Sequence, residues 1–181
     1  ITIEFRPAGL YALTGIGQSA LTDEFLSFEA VHSKLSRRIC EATEKAESVR
    51  ELVDVLDRLL LESMRANIHP QLAQTLGTMV RCDGNAAVKG LAEDIHYSER
   101  QLNRIFRQHV GVSAKSFARL VRVNKAFQLL KKPDYSLTLV SDRMGFHDLS
   151  HFLRDFRLVC GITPQDFRQN MSDFYINPMK F

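Results

Sequence analysis

Arg100, Asn103, Arg104 and Arg107 crowd into the middle of residues 88–108, VKGLAEDIHYSERQLNRIFRQ. A guanidinium can donate a forked pair of hydrogen bonds to guanine, and an asparagine amide can pair similarly with adenine. A helix that turned these groups outward would have the chemistry of a groove reader. The neighbouring residues supply the means of turning them. Leu91, Ala92 and Ile95 recur on one helix face, and the small Ala92 lets a second helix cross close by. His96 and Tyr97 break the run. Ser98 then restarts it as an N-cap, with Gln101 completing an S-x-x-Q capping box. Leu102, Ile105 and Phe106 share one face of the second helix, which leaves the arginines and Asn103 on the others. The stretch reads as a helix-turn-helix with a basic, amide-bearing outer face.

The pattern returns in residues 137–157, LTLVSDRMGFHDLSHFLRDFR. Leu91, Ile95 and Tyr97 correspond to Val140, Met144 and Phe146 at an offset of 49. After one inserted residue the offset is 50, and Leu102, Arg104, Phe106, Arg107, Gly111 and Phe117 correspond to Phe152, Arg154, Phe156, Arg157, Gly161 and Phe167. Repeated apolar positions need only repeated packing. Repeated outward arginines point to a repeated ligand, and DNA is one, because it offers the same groove on the same face one helical turn later.

The net charge of +3 hides a division. Residues 1–83 carry nine Lys and Arg against twelve Asp and Glu, whereas residues 84–181 carry fifteen against nine. The positive potential therefore sits on the half with the repeat, as a nucleic-acid partner requires. With 45% hydrophobic residues the chain is globular, and no apolar run approaches the roughly 20 residues needed to cross a bilayer. Cys40, Cys82 and Cys160 are odd in number and widely spaced, which indicates neither a zinc site nor a disulfide framework and fits a reducing cytoplasm. His147 and His151 lie four apart, as metal ligands on a helix can, but Asp148 replaces the following glutamate of H-E-x-x-H and no third ligand is evident. No metal or cofactor is expected. Nucleophile-elbow, P-loop and paired-carboxylate spacings are absent, so the chain is not read as an enzyme. Because it starts at Ile1, it is expected to be N-terminally incomplete.

The elements around the repeat follow from periodicity. ITIEF alternates as a strand would, GLYALTGI reads as a turn of helix, and LTDEFLSF reads as a second strand or the approach to a helix. Phe28, Val31, Leu35, Ile39 and Ala42 keep helical spacing. A Ser48–Glu51 capping box opens the next helix, whose stripe runs from Val49 to Met64. The two predict an antiparallel hairpin with a solvated charged face, and the stripe is wide enough to leave a dimer seam open. Pro70 starts a helix to about Arg81, and the turn Asp83-Gly84-Asn85 follows, with Asn85 expected to cap the next helix. Gly111 ends the first recognition helix. Ser113 opens a long helix to about Leu130, Ser136 caps the second copy, Gly145 makes its corner, and Thr163-Pro164 opens a terminal helix. Cys160, within the apolar run LVCGI, is expected to be a buried thiol.

Residues 70–170, with seven helices in this order and the ending GITPQDFR, closely resemble the DNA-binding domain of AraC/XylS-type bacterial transcription regulators. Residues 1–33 resemble more loosely the end of a cupin-like sensor domain. The resemblance implies a mainly all-α chain with two helix-turn-helix subdomains joined by a long helix, preceded by a helical hairpin and a short β-containing remnant. It divides the sequence into a sensor remnant at 1–33, a helical linker or dimerisation hairpin at 34–68, and the DNA-binding domain at 69–181. Departures fall at the corners: His96 stands where glycine is usual, Ala114 replaces a frequent proline, and Ser141 a frequent alanine. His96 must then adopt a left-handed conformation.

Carried over by position, the resemblance puts Arg100, Asn103 and Arg104 in one major groove and Ser150, His151 and Arg154 in the next, with Leu153 near a thymine methyl. Arg107, Lys115 and Arg157 are placed for phosphates, where they add affinity without specifying sequence. Most arginines on exposed helix faces are simply solvated, and it is the repeat, the basic half and the resemblance together that outweigh this reading. Double-stranded DNA is the expected partner of a cytoplasmic bacterial regulator, an activator in many members. RNA polymerase, a second copy of the chain and a small-molecule effector bound upstream are further partners the resemblance leaves open; a membrane is not among them. Two rival readings are a protein-interaction module and a DNA-repair methyl acceptor. The latter needs an activated cysteine among metal-type neighbours, which the three cysteines lack.

Overall fold

The computed structural model describes residues 2–22 and 24–169. They fall into two compact units, one holding residues up to 69 together with 105–112, the other residues 70–104 together with those from 113 onward.

In the first unit, α1 (Gly9–Thr14) ends at Gly15 with φ 72°. A 3-10 turn, Gln18–Ala20, follows, and then α2 (Phe28–Lys45) and α3 (Val49–Glu62). The alternation in ITIEF does not make a strand: residues 2–6 join no ladder, and no strand occurs among the described residues. A strand needs a partner edge to pair its backbone, and Phe5 instead packs against the helical core of Leu13, Leu35 and Leu59. LTDEFLSF is the approach to α2, whose cap is Ser27, accepting a bond from the Ala30 N–H at 3.2 Å. Ser48 caps α3 by accepting from the Glu51 N–H at 3.2 Å, and the Glu51 carboxylate accepts from the Glu47 N–H at 3.0 Å. These bonds close the α2–α3 hairpin.

Two features of the hairpin differ from its periodicity. His32 breaks α2 with φ −153° and ψ 72°, and its Nδ1 accepts the Leu35 N–H at 3.3 Å, so the helix restarts on a side-chain cap. The apolar stripe of α3 is only partly used. Leu56 and Leu59 are buried, whereas Val49 and Leu61 are 80% and 69% exposed. Beyond α3, the N–H groups of Arg65 and Ala66 both donate to the Ala12 carbonyl, at 2.8 and 3.0 Å, tying the connecting segment to α1.

From Pro70 on, seven helices follow in the predicted order among the described residues: α4 (Pro70–Arg81), α5 (Val88–Asp94), α6 (Glu99–Val110), α7 (Ala114–Leu130), α8 (Leu137–Arg143), α9 (Leu149–Cys160) and α10 (Pro164–Gln169). Residues 105–110 of α6 group with the first unit. The core of the second unit gathers Val123, Ala126 and Leu130 of α7 with Val140, Met144, Phe146, Phe152, Phe156 and Phe167. The aromatic rings of Phe152 and Phe156 meet edge to face at 5.7 Å. Ser113 caps α7, and Thr163 and Asp166 form a reciprocal cap on α10, with Thr163 Oγ1 donating to Asp166 at 2.6 Å. Asn85 does not cap α5: the N-cap is Ala87, with no side-chain bond, and Asn85 lies against Gly145 instead. The expected terminal domain runs to 181, and its residues 170–181 lie outside the described part.

Candidate nucleic-acid interface

Each of the two corners is made by one residue in the left-handed region. In the first, His96 has φ 58°, and the N–H groups of His96 and Tyr97 donate to the carbonyls of Glu93 and Ala92, both at 2.9 Å. In the second, Gly145 has φ 67°, and the Gly145 and Phe146 N–H groups donate to Asp142 and Ser141, both at 3.1 Å. A histidine thus accepts the conformation that glycine adopts at lower cost.

Caps then launch the recognition helices. Ser98 Oγ accepts the Gln101 N–H at 3.2 Å, and Gln101 Oε1 accepts the Ser98 N–H at 2.8 Å. In the second copy Asp148 accepts the His151 N–H at 2.6 Å. That bond, then the one with His147, holds the Asp148 carboxyl below the usual carboxylate range. Both helices bury the predicted apolar face: Leu102, Ile105 and Phe106 in α6, Phe152 and Phe156 in α9.

The opposite faces carry the cations. Arg100, Arg104 and Arg107 on α6, Ser150, Arg154 and Arg157 on α9, and Lys115 in the first turn of α7 are all exposed. Among the described residues, no carboxylate is ion-paired with any of these arginines or with Lys115. The matched pairs Arg104 with Arg154 and Arg107 with Arg157 therefore present uncommitted guanidinium groups at the same register of two copies.

Two of the expected base readers also make contacts within the chain. Asn103 is half-buried; its Nδ2 donates to the Glu99 carbonyl at 2.9 Å, and its Oδ1 accepts the Ala114 N–H at 3.0 Å. It spans from α6 to the first turn of α7 and acts as a second cap there, and one amide N–H and one oxygen lone pair stay uncommitted in these two bonds. His151 is drawn back toward the scaffold, with Nε2 at 3.3 Å from the Asp155 carboxylate and its ring edge-on to Phe146 at 5.5 Å. Leu153, expected near a thymine methyl, packs on the rim of the core.

His147 Nδ1 meets Asp148 at 3.1 Å while His151 turns to Asp155, so the two imidazoles serve different carboxylates. Among the described residues no cluster of three His, Cys, Asp or Glu could hold a metal ion. Cys160 is half-buried rather than fully enclosed, and desolvation pushes its thiol up to about 11. Asp155, which sequence reasoning missed, is 7% exposed and takes Arg119 Nε at 3.0 Å. Its signal was present in the repeat, where Asp155 stands opposite Ile105, and a carboxylate in a core register has to find a partner.

Comparison with known proteins adds an independent line. A helix-turn-helix domain family matches residues 91–170. The arabinose operon regulatory protein of Escherichia coli K12 is 27% identical over 125 residues, covering 64% of this chain and 43% of its own length. The HTH-type transcriptional activator RhaS of Salmonella arizonae is 36% identical over 81 residues, covering 45% of this chain and 29% of its own length. The chain thus spans less than half the length of these relatives. Among solved structures, an AraC-type DNA-binding-domain transcriptional regulator from Chromobacterium violaceum superposes with a TM-score of 0.52 at 27% identity, over 57% of this chain and 94% of its own. The C-terminal domain of AraT, a response regulator from Geobacillus stearothermophilus, shares the fold with a TM-score of 0.54 at 19% identity, over 60% and 93%. No helix among the described residues is long and apolar enough to cross a membrane.

Proposed function

We propose that this chain, whose residues 91–170 match a helix-turn-helix domain family, is a DNA-binding transcription regulator of the AraC type that reads a bipartite operator with α6 and α9 in successive major grooves. The carrying observation is the pair of uncommitted arginines at matching positions, Arg104 and Arg154. Arg100, Arg104, Ser150 and Arg154 approach base edges, whereas Arg107, Lys115 and Arg157 meet phosphates. Asn103 offers its remaining N–H and lone pair to a base while it braces α7, and His151 reads a base by leaving Asp155. Residues 1–33 belong to the end of a sensor region whose upstream part takes a small-molecule effector, residues 34–68 to a linker or dimerisation hairpin, and residues 69–181 to the DNA-binding domain. RNA polymerase is the further partner if the chain works as an activator, the role that the name of its relative RhaS states for that protein. The setting is the bacterial cytoplasm.

The methyl-acceptor reading runs against the thiol chemistry: burial moves Cys160 away from the thiolate that group transfer requires. The DNA reading is tested with single substitutions. Arg104→Ala is expected to weaken binding to the selected site by about 1–3 kcal/mol and to relax one base position. Arg107→Ala is expected to weaken specific and random duplexes by the same factor and to reduce the salt slope by about one. Equal losses from both variants on both kinds of duplex would contradict these roles, and binding of no duplex at low salt would leave the chain as a protein-interaction module.

A further inference from the structure

Helix α7 carries two cations one turn apart that are turned away from the exposed set. Arg119 reaches Asp155 in the middle of α9. Arg122 does more, since its Nη2 donates to the Gly84 carbonyl at 2.9 Å while its guanidinium lies 5.2 Å from the centroid of the Phe146 ring. Gly84 belongs to the turn between α4 and α5, and Phe146 to the corner between α8 and α9. One side chain, anchored on the connecting helix, thus grips the entry to the first helix-turn-helix and the corner of the second.

Those two turns also meet one another. A Cβ on Gly145 would lie 2.8 Å from the Asn85 Oδ1, so the corner of the second copy is pressed onto the residue after Gly84. Gly84 itself, at φ 75°, sits so close to α7 that a Cβ would fall 2.2 Å from the Ala118 carbonyl oxygen. Two motifs joined by a helix alone could pivot about its ends. A cross-brace from the middle of that helix to a turn on either side removes the freedom. A desolvated guanidinium is an expensive way to fill this space, and its fork and flat face are what allow one group to bond a carbonyl and cover a ring at once.

We infer that Arg122 sets the separation and phase of α6 relative to α9 within the DNA-binding domain, and so fixes the spacing between half-sites that the chain accepts. This rests on the DNA reading above. Arg122 touches no base or phosphate in this role; it is a positioning residue, and the property it governs is tolerance of spacing rather than affinity for either half-site.

The test uses the whole chain as wild type, Arg122→Met and Arg122→Lys, all checked for equal helix content. The probes are the selected duplex, the same duplex with one or two base pairs inserted between the half-sites, and one with the second half-site scrambled. A one-base-pair insertion rotates the second half-site by about a tenth of a turn and is expected to cost the wild type about tenfold or more in affinity. In Arg122→Met that penalty falls to about threefold or less, while affinity for the scrambled duplex stays within about twofold of wild type. Arg122→Lys, which keeps the charge and loses the fork, behaves like Arg122→Met. A spacing profile parallel to wild type in both variants overturns the proposal, as does an equal loss on every duplex. Residual dipolar couplings of the free protein separate failure of the brace from failure of the DNA reading. Amides of α5 and α9 fit one alignment tensor in wild type and two in Arg122→Met if the brace exists, whatever the duplexes do. A wild type indifferent to duplex sequence overturns the DNA reading and the spacing role with it.

Discussion

Gly111 and Gly161 end α6 and α9 at matching positions of the repeat, with φ 90° and 74°. Their surroundings have nothing in common. A Cβ on Gly111 would lie 2.9 Å from Thr22 Oγ1 and 3.3 Å from the Gln18 carbonyl, whereas a Cβ on Gly161 would meet nothing within 4 Å. Two residues earlier, His109 is buried with its ring 4.0 Å from Tyr11, and its pKa is lowered by burial and then by His69. Its counterpart Val159 only borders the core of the second copy. Duplication has preserved the helix ends and their left-handed exits but not what covers them. The end of the first recognition helix is seated on residues 9–22, while at the end of the second Gly161 faces open space.

That contrast is sharpest in stability. Both glycines pay about 1–2 kcal/mol on substitution by alanine because a side chain is forced into the left-handed region. Only Gly111 adds a steric term, of about 1–3 kcal/mol, against the 3-10 turn and Thr22. Urea denaturation should therefore show Gly111→Ala destabilised by about 2–5 kcal/mol and Gly161→Ala by about 1–2 kcal/mol. Equal losses would mean that residues 18–22 do not hold the end of α6.

A smaller effect compares the corners. His96 and Gly145 hold nearly the same backbone conformation, so His96→Gly is expected to raise stability by up to about 1 kcal/mol. A measured loss in the same denaturation experiment would show that the exposed imidazole makes a contact of its own.

Local chemistry made most of this architecture readable in advance. The helix starts were announced by Ser98 with Gln101, Ser113, Ser136 and Thr163, each of which caps as its sequence context predicts. What escaped depends on partners distant in the chain. ITIEF alternates correctly but has no neighbouring edge to pair with. Asn85 stands at a turn as expected, yet its side chain lies against Gly145, sixty residues away. Asn103 looks outward on a helical wheel until the Ala114 N–H claims its oxygen. Asp155 was legible in principle as an acid in a core register, whereas the reach of Arg122 from α7 to Gly84 was not, because a guanidinium on a helix gives no hint of which carbonyl it will find.

Hydroxyl-radical footprinting of the whole chain on its selected duplex tests the central claim most directly. Two recognition helices reading successive grooves predict two protected patches on one face, about 10 base pairs apart, with Arg104→Ala erasing sequence preference under one patch and Arg154→Ala under the other. A single patch, or loss of preference under the same patch from both substitutions, would contradict the account.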